Sequence, residues 1–352
     1  MKKRIAVVGA GLIGRRHAEA ILNTRSASLG ALVDPDPHTA VLAAQYNTVC
    51  LESLDSLLDA KIADGIVLST PNQQHVPQAL ACIEAKIPVL VEKPLAIDLS
   101  GAISIVRASD AASVPVLTGH HRRHNPLVVK ARQMISEGQL GTITAAQATT
   151  WFYKPDEYFD VPWRTRPGAG PVYINLIHDV DMLRHLCGEV IQVQAMESRM
   201  VRENEVEDTC VILMRFADGA LGTLSVSDCT ASPWSWELTA RENPAYPVTS
   251  ELCYQIGGTH GSLALPDLSL WQHPQKRSWW EPISARRVPF AVADPLVRQI
   301  DQFVSVICGE QSPLVSARDG MLNQQVIEAI KRSASERRLV DISMDPEDPS
   351  SV

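Results

Sequence analysis

Several groups of residues in this sequence have the types and spacing to do chemistry. Gly9-x-Gly11-x-x-Gly14 lies between IAVVGA, a run of β-formers, and the amphipathic segment IGRRHAEAILN. In a strand–turn–helix, the first glycine permits a tight turn and the second lets the backbone approach a pyrophosphate. The third lets helix and strand pack closely. The anion then meets the free N–H groups of the helix N-terminus. Leu12 and Ile13 fall inside this turn. Asp34 stands about 20 residues beyond Gly14, where a carboxylate accepts hydrogen bonds from a ribose and repels a 2′-phosphate. NAD is therefore favoured over NADP. Arg15 and Arg16 pull the other way, and Asp34-Pro35-Asp36-Pro37 also reads as a plain turn.

Lys93, in Glu92-Lys93-Pro94, follows the apolar run VLV, and a doubly wound sheet binds ligands at the carboxyl ends of its strands. An ammonium there can hydrogen-bond a substrate hydroxyl and favour a developing alkoxide; a surface lysine fits the same position. In GAGPVYINLIHDVDMLRHLCG a helical period puts Ile174, His178 and Asp181 near one face, with Asn175 one turn before His178. An unperturbed imidazole, with its pKa of about 6.5, suits proton transfer near neutrality, and a satisfied helix histidine is the plainer alternative. Arg122, Arg123, Arg164 and Arg166 stand out in an acidic chain. Two of them facing one ligand would match a carboxylate, whereas salt bridges would account for them equally well. His120, His121 and His124 would alternate faces on a strand and lack an acidic or cysteine partner, which argues against a metal site.

The elements that must carry these groups follow two rhythms. Apolar runs at 5–10, 29–34, 64–70, 88–92 and 115–120 alternate with helix-like segments, as in a parallel sheet wrapped by crossover helices. After about residue 120 come a helix in NPLVVKARQMISEG, a helix within 168–188, and then β-like stretches VIQVQAMESRM, DTCVILMRFA, GALGTLSVSDC and the segment around SELCYQIGG. FADGALGT reads as a hairpin, because Asp-Gly supplies the positive-φ turn. The expected fold is α/β: an N-terminal Rossmann doubly wound parallel sheet plus a C-terminal α+β domain with a large open mixed or antiparallel sheet. The expected domains are 1–120 for the dinucleotide and 121–340 for substrate and oligomerisation, with the final helices free to pack back on the first domain. A flexible tail is expected over 341–352.

Composition sets the outer limits. At 352 residues, with 45% hydrophobic and 20% charged residues, the chain has enough apolar content for folded cores in two domains. A formal net charge of -8 argues against a nucleic-acid partner. No apolar run is long enough to span a membrane. MKKRIAVVGAGLIG is too short and Gly-broken for a signal peptide, so a cytoplasmic protein is expected. The seven cysteines show no paired or metal spacing and read as reduced core thiols.

Together these motifs resemble the Gfo/Idh/MocA family of oxidoreductases, which includes glucose–fructose oxidoreductase and inositol dehydrogenases. The resemblance rests on the N-terminal GxGxxG, Ser69-Thr70-Pro71 with His75, and Glu92-Lys93-Pro94. It extends to Arg122-Arg123-His124-Asn125-Pro126, Pro162-Trp163-Arg164, the Gly168-x-Gly170 turn and His178-x-x-Asp181, and covers nearly the whole chain. It implies cofactor contacts from Ser69, Thr70, Pro71, Asn72, His75, Glu92 and Lys93 beside the glycine turn and Asp34. It implies Lys93 and His178 as catalytic residues, and a substrate held by Lys93, Arg122, Trp163, Arg164, Asn175 and His178. The activity implied is oxidation of a secondary hydroxyl of a sugar, cyclitol, sugar acid or hydroxylated ring acid with NAD, in a homodimer or homotetramer joined through the sheet face. One departure is Ile174, where many members carry Asp four residues before the histidine. Asn175 or a relay through Lys93 would have to serve instead. A non-catalytic dinucleotide-binding regulator and an oxidoreductase that retains its cofactor are the alternative readings.

Overall fold

The computed structural model describes residues 2–344, which form two compact units. One comprises the described residues up to Asn125 together with Ala293–Gln324; the other comprises Pro126–Val292 and the residues from Gln325 onward.

In the first unit, strands and helices alternate: β1 (Lys3–Val8), α1 (Leu12–Asn23), β2 (Ala27–Val33), α2 (Thr39–Gln45), β3 (Val49–Leu51), α3 (Leu54–Ala60), β4 (Gly65–Leu68), α4 (His75–Glu84), β5 (Val89–Val91), α5 (Leu99–Ala112) and β6 (Val116–Thr118). The six strands pair in the order β3-β2-β1-β4-β5-β6, all parallel. The order reverses between β1 and β4, so the loops leaving those two strands open the crevice where such sheets take ligands. Ile5, Ala6, Val7, Ile66, Val67, Leu68, Val89, Leu90 and Val91 are fully buried, as strands covered on both faces must be.

The second unit begins with α6 (Pro126–Ser136), β7 (Ile143–Trp151) and α7 (Ile177–Cys187). It continues through β8 (Val190–Ser198), β9 (Thr209–Phe216), β10 (Leu221–Ser227), α8 (Trp236–Thr239), β11 (Tyr254–Gly258), β12 (Ser262–Leu265), β13 (Ser269–Gln272) and β14 (Ser284–Arg287). Then α9 (Pro295–Ile307) returns to the first unit, α10 (Ala317–Glu336) follows, and β15 (Val340–Asp341) ends the second. Nine strands pair in the order β14-β13-β12-β11-β7-β10-β9-β8-β15; every pair is antiparallel except β7 with β10. Along β9, Cys210, Ile212, Met214 and Phe216 are buried beneath the helices, while Val211, Leu213 and Arg215 face outward.

α9 completes the core of the first unit, with Leu296, Ile300, Phe303 and Val306 packed against Ile5, Val7, Ile21 and Leu32. Side chains of this size contribute about 1.5–3 kcal/mol each when fully buried. The segment expected as a tail begins as structure: Val340 and Asp341 pair with Val193 and Gln192, and Ile342 N–H donates to Ile191 O at 2.8 Å. A row of backbone bonds and a buried isoleucine outweigh the polar composition there. The remainder of that expectation, 345–352, lies outside the described residues.

Candidate active site

The glycine turn has the geometry its spacing implies. Gly9 has φ +90° and a Cβ on it would lie 2.6 Å from Ser69 O. A Cβ on Gly14 would lie 1.8 Å from Gly9 O, so helix and turn are in contact there. At Gly11 nothing comes within 4 Å. Leu12 beside it is 87% exposed, and α1 has no side-chain cap. Its first N–H groups therefore face open space, as an anion site requires. Ile13 is half-buried. Asp34 closes the side of this turn: its Oδ2 accepts from Ala10 N–H at 2.7 Å and its Oδ1 from Asp36 N–H at 2.9 Å. Each oxygen keeps a further lone pair for a ribose hydroxyl. Open backbone, free donors and a carboxylate together fit an NAD.

After β4, Ser69 Oγ donates to Gly9 O at 2.8 Å and to Val8 O at 3.0 Å, and Thr70 Oγ1 donates to Gln78 Oε1 at 2.6 Å. Pro71 is exposed and Asn72, half-buried, opens a single 3-10 turn. Two of the expected cofactor contacts are packed inward. His75 is fully buried, with Nδ1 2.8 Å from Pro94 O and Nε2 3.0 Å from Thr70 O. It braces the loops after β4 and β5, and burial pushes its pKa below the ordinary value. Glu92 is also buried, its Oε1 2.7 Å from His17 Nε2 and its Oε2 accepting from Lys93 N–H at 3.1 Å. Burial works to raise its pKa, but the hydrogen bond and charge of His17, with Lys93 and His121, outweigh it and hold the carboxyl at about 2. Its job is to fix the backbone from which Lys93 projects, half-buried, ahead of the cis Lys93–Pro94 bond.

The segment His121–His124 is a 3-10 turn rather than the expected strand. Among the described residues, no His, Cys, Asp or Glu group is arranged to hold a metal. Arg123 is buried and bonded to Asp319 Oδ1 at 3.1 Å and Leu314 O at 3.4 Å, a structural ion pair; Arg122 is buried beside it.

In the second unit, the helix that carries His178 is not regular. Val172–Leu176 is wound as a π-helix, and α-helical geometry starts at Ile177. The wider turn changes the angular spacing of Asn175 relative to His178 from that of a continuous α-helix and leaves Ile174, four residues before His178, near the same face. Asn175 Oδ1 is buried without a hydrogen-bond partner among the described residues. His178 is 8% exposed and Asp181 fully buried. The neighbouring Asp179 carboxylate accepts from Thr150 Oγ1 at 2.8 Å and from the Tyr254 hydroxyl, anchoring α7 to β7 and β11. The helix entrance is held by Glu207, whose Oε1 accepts from Val172 N–H at 2.9 Å and whose Oε2 pairs with Lys331 at 2.6 Å. Burial works against the Lys331 ammonium, yet Glu207 and Glu197 hold its pKa above the ordinary value. Gly170, with φ +83°, leaves room for that carboxylate: a Cβ there would lie 2.5 Å from Glu207 Oε1.

Trp163 is half-exposed, Arg164 is half-buried and Arg166 is exposed. The Arg164 guanidinium lies 4.1 Å from the Tyr158 ring centroid and donates to Tyr158 O at 2.8 Å. A buried hub underpins this stretch. Asp228 takes Lys154 Nζ at 3.2 Å and Arg202 Nε at 3.2 Å, while Arg202 also donates to Lys154 O at 2.6 Å. The sequence reading did not single out His17, Asp179, Glu207 or this hub. The signal for His17 was its place on the buried face of α1, between Gly14 and Ile21, where a polar side chain demands a partner. For the hub it was the interleaving of cations with aromatics from Phe152 to Arg164.

A dinucleotide turn on a 3-2-1-4-5-6 parallel sheet, followed by a unit with an open nine-stranded sheet, defines a Rossmann-type oxidoreductase. Residues 3–120 match the model of the oxidoreductase family with NAD-binding Rossmann fold, and residues 128–264 match the GFO/IDH/MocA C-terminal domain. The chain belongs to the Gfo/Idh/MocA family and is an NAD-dependent oxidoreductase. It is 28% identical over 287 residues to an inositol 2-dehydrogenase of Mycolicibacterium gilvum, covering 78% of this chain and 75% of that one. The WlbA dehydrogenase of Bordetella pertussis, solved with NADH and UDP-GlcNAcA, superposes with a TM-score of 0.78 at 25% identity, covering 98% of this chain and all of that one. An NAD-binding oxidoreductase from Klebsiella pneumoniae shares the fold, with a TM-score of 0.83 at 22% identity over 98% of this chain and 100% of that one.

Proposed function

We propose that this enzyme oxidises a secondary hydroxyl of a polyol, sugar or hydroxy acid. The observation that carries the reading is the open first turn of α1 beside the Asp34 carboxylate. NAD bound there supplies the hydride acceptor. Lys93, held by the Glu92–His17 brace, hydrogen-bonds the reacting hydroxyl and favours the alkoxide as it develops. His178, on the helix anchored through Asp179, accepts the proton. Arg122, Trp163, Arg164 and Asn175 bind the remainder of the substrate, and the unsatisfied Asn175 Oδ1 offers a hydroxyl an acceptor. The similarity to an inositol 2-dehydrogenase supports a polyhydroxylated substrate.

The test is NAD reduction over a panel of cyclitols, sugars, sugar acids and cyclic hydroxy acids. Lys93→Ala and His178→Gln are each expected to lower kcat at least ~100-fold with NADH affinity intact. Wild-type turnover in either variant would overturn that residue's assignment.

The same reading includes self-association. The outer face of the nine-stranded sheet carries Met196, Val211, Leu213, Leu221 and Trp271, all 42% or more exposed, in one concave surface with Gln147 and Gln194. A contiguous apolar face of this kind in a chain with net charge -8 is suited to a second copy of itself.

A further inference from the structure

The helix that carries His178 is entered through its widest turn, and a buried charge pair stands at that entrance. Pro171 precedes the π-helical turn and has no N–H, so Val172 supplies the first backbone donor. Glu207, just ahead of β9, answers it with Oε1 at 2.9 Å. The Glu207 side chain is fully buried, and its Oε2 meets Lys331 Nζ of α10 at 2.6 Å. The same ammonium lies 2.5 Å from Glu197 Oε2 on β8. Val172, Glu207, Lys331 and Glu197 thus form one line of charge-assisted bonds from the turn to α10 and the sheet. A carboxylate suits the donor-rich start of a helix, but sealed from water it is stable only beside a cation. The turn it holds is strung between two anchors. Glu207 fixes Val172, and Asp179, beyond the far end, takes the Thr150 and Tyr254 hydroxyls. Between the anchors lie His178 and Asn175, whose buried Oδ1 is without a hydrogen-bond partner among the described residues.

We infer that Glu207 and Lys331 are positioning residues for the reaction: they keep this turn wound as a π-helix and so set the angle between Asn175 and His178 that a substrate meets. A π-helical turn is rare, and such turns gather at functional sites. Val172, Tyr173, Ile174, Asn175 and Leu176 include no proline or glycine to break an α-helix, so the wide winding comes from the anchors. Burial keeps Glu207 from touching any ligand, and it acts through the Val172 N–H. Lys331 acts one step further back, because without its ammonium the buried carboxylate either takes up a proton or swings toward water. In both cases the hold on Val172 weakens, the turn relaxes toward a 3.6-residue period, and Asn175 shifts against His178. The dinucleotide turn and Asp34 belong to the other unit, so NAD binding should not respond.

This inference rests on the substrate roles proposed above for Asn175 and His178, and two measurements on the full chain keep the two readings apart. The first, hydrogen–deuterium exchange with NADH bound, needs no turnover. Glu207→Ala/Lys331→Met removes the acceptor and both charges of the pair together, so neither is left buried alone. Amides 172–178 should then exchange at least ~10-fold faster than in the wild type, the worth of a charge-assisted bond, while the dinucleotide turn is unchanged. Glu207→Gln/Lys331→Met keeps an amide oxygen for Val172 and should lie closer to the wild type. The second measurement is steady-state oxidation of myo-inositol and the rest of the polyol panel. Lys331→Met should raise KM for the best substrate about 10-fold or more with NADH affinity intact, and Lys331→Arg should restore most of it. Unchanged exchange over 172–178 overturns the inference, as does a Tm loss with KM and kcat at wild-type values. Asn175→Ala tests the underlying reading: a wild-type KM there removes Asn175 from the substrate site and leaves the exchange result standing.

Discussion

Gly11 and Gly14 are three residues apart in one motif, and the structure assigns them opposite liabilities. A methyl on Gly11 meets nothing within 4 Å, and the residue has the ordinary φ of -66°. As an N-cap, alanine is poorer than glycine by a few tenths to about 1 kcal/mol. Restricting the unfolded chain returns ~0.4–1 kcal/mol. The two nearly cancel, so Gly11→Ala should keep its Tm within about 2 °C of the wild type. The same methyl fills the space through which a pyrophosphate must reach the backbone. Losing a charge-assisted hydrogen bond of about 1.5–3 kcal/mol weakens NADH binding roughly 10- to 100-fold. At Gly14 the added carbon lies 1.8 Å from Gly9 O, and real contacts do not fall below 3.0 Å, so helix and turn must part. Because the obstacle is backbone, no side-chain rotation relieves it. Gly14→Ala should lose ~3 kcal/mol or more and about 6–12 °C in Tm. Calorimetric titration with NADH and thermal melts of both variants decide the matter. A Gly11→Ala protein that binds NADH as tightly as the wild type would refute the placement of the pyrophosphate.

Asp34→Ala removes the ribose acceptor and the support of Ala10 N–H together. NAD affinity should fall about 10- to 50-fold while NADP affinity changes much less, as paired titrations would show. Glu92, held at about 2 against an ordinary 4.5, stabilises the fold by ~3 kcal/mol, fully present above pH 4.5 and lost as pH falls from there through 2. Glu92→Gln should therefore be less stable than the wild type at pH 7, with the gap closing in urea melts toward pH 3; a gap independent of pH would contradict this. Asp179→Ala strips the Thr150 and Tyr254 hydroxyls of their acceptor and should cost roughly 2–4 kcal/mol in denaturant melts. If α7 is set by that anchor, kcat falls further than the stability change explains, whereas an unaltered kcat would make Asp179 purely structural.

Much of the first unit was legible because its signals are local. IAVV, GIVL and VLV are continuous apolar runs between turn residues, and the glycine spacing is meaningful within a dozen positions. β3 escaped notice because Val49–Leu51 is three residues long and none of them is fully buried. The nine-stranded sheet was legible as strands but not as an order. β7 pairs in parallel with β10 and antiparallel with β11, partners about 75 and 110 residues away that no periodicity encodes. Glu92 and His75 were found by motif but their bracing bonds were not, since a polar residue that faces a ligand and one that faces a carbonyl share a sequence pattern. Burial separates them, and burial belongs to the tertiary structure. The π-helical turn before His178 was hidden for a related reason. Glu207 and Gly170, 37 residues apart, set its entrance, and a 3.6-residue period assumes that nothing so distant intervenes.

The helix α9 has a bearing on how the chain comes to be folded at all. Ile5, Val7 and Leu32 find their cover in Ile300 and Phe303, residues that leave the ribosome only after Pro126–Val292 of the second unit has been made. At about 5–20 residues per second, the first sheet waits on the order of 10–30 s with one apolar face uncovered. A fragment ending near Asn125 would hold every strand of that sheet and still lack the helix that shields it. The gene for this enzyme is thus colinear with neither of its folding units, and its earliest-made half keeps an apolar face uncovered until translation is nearly over.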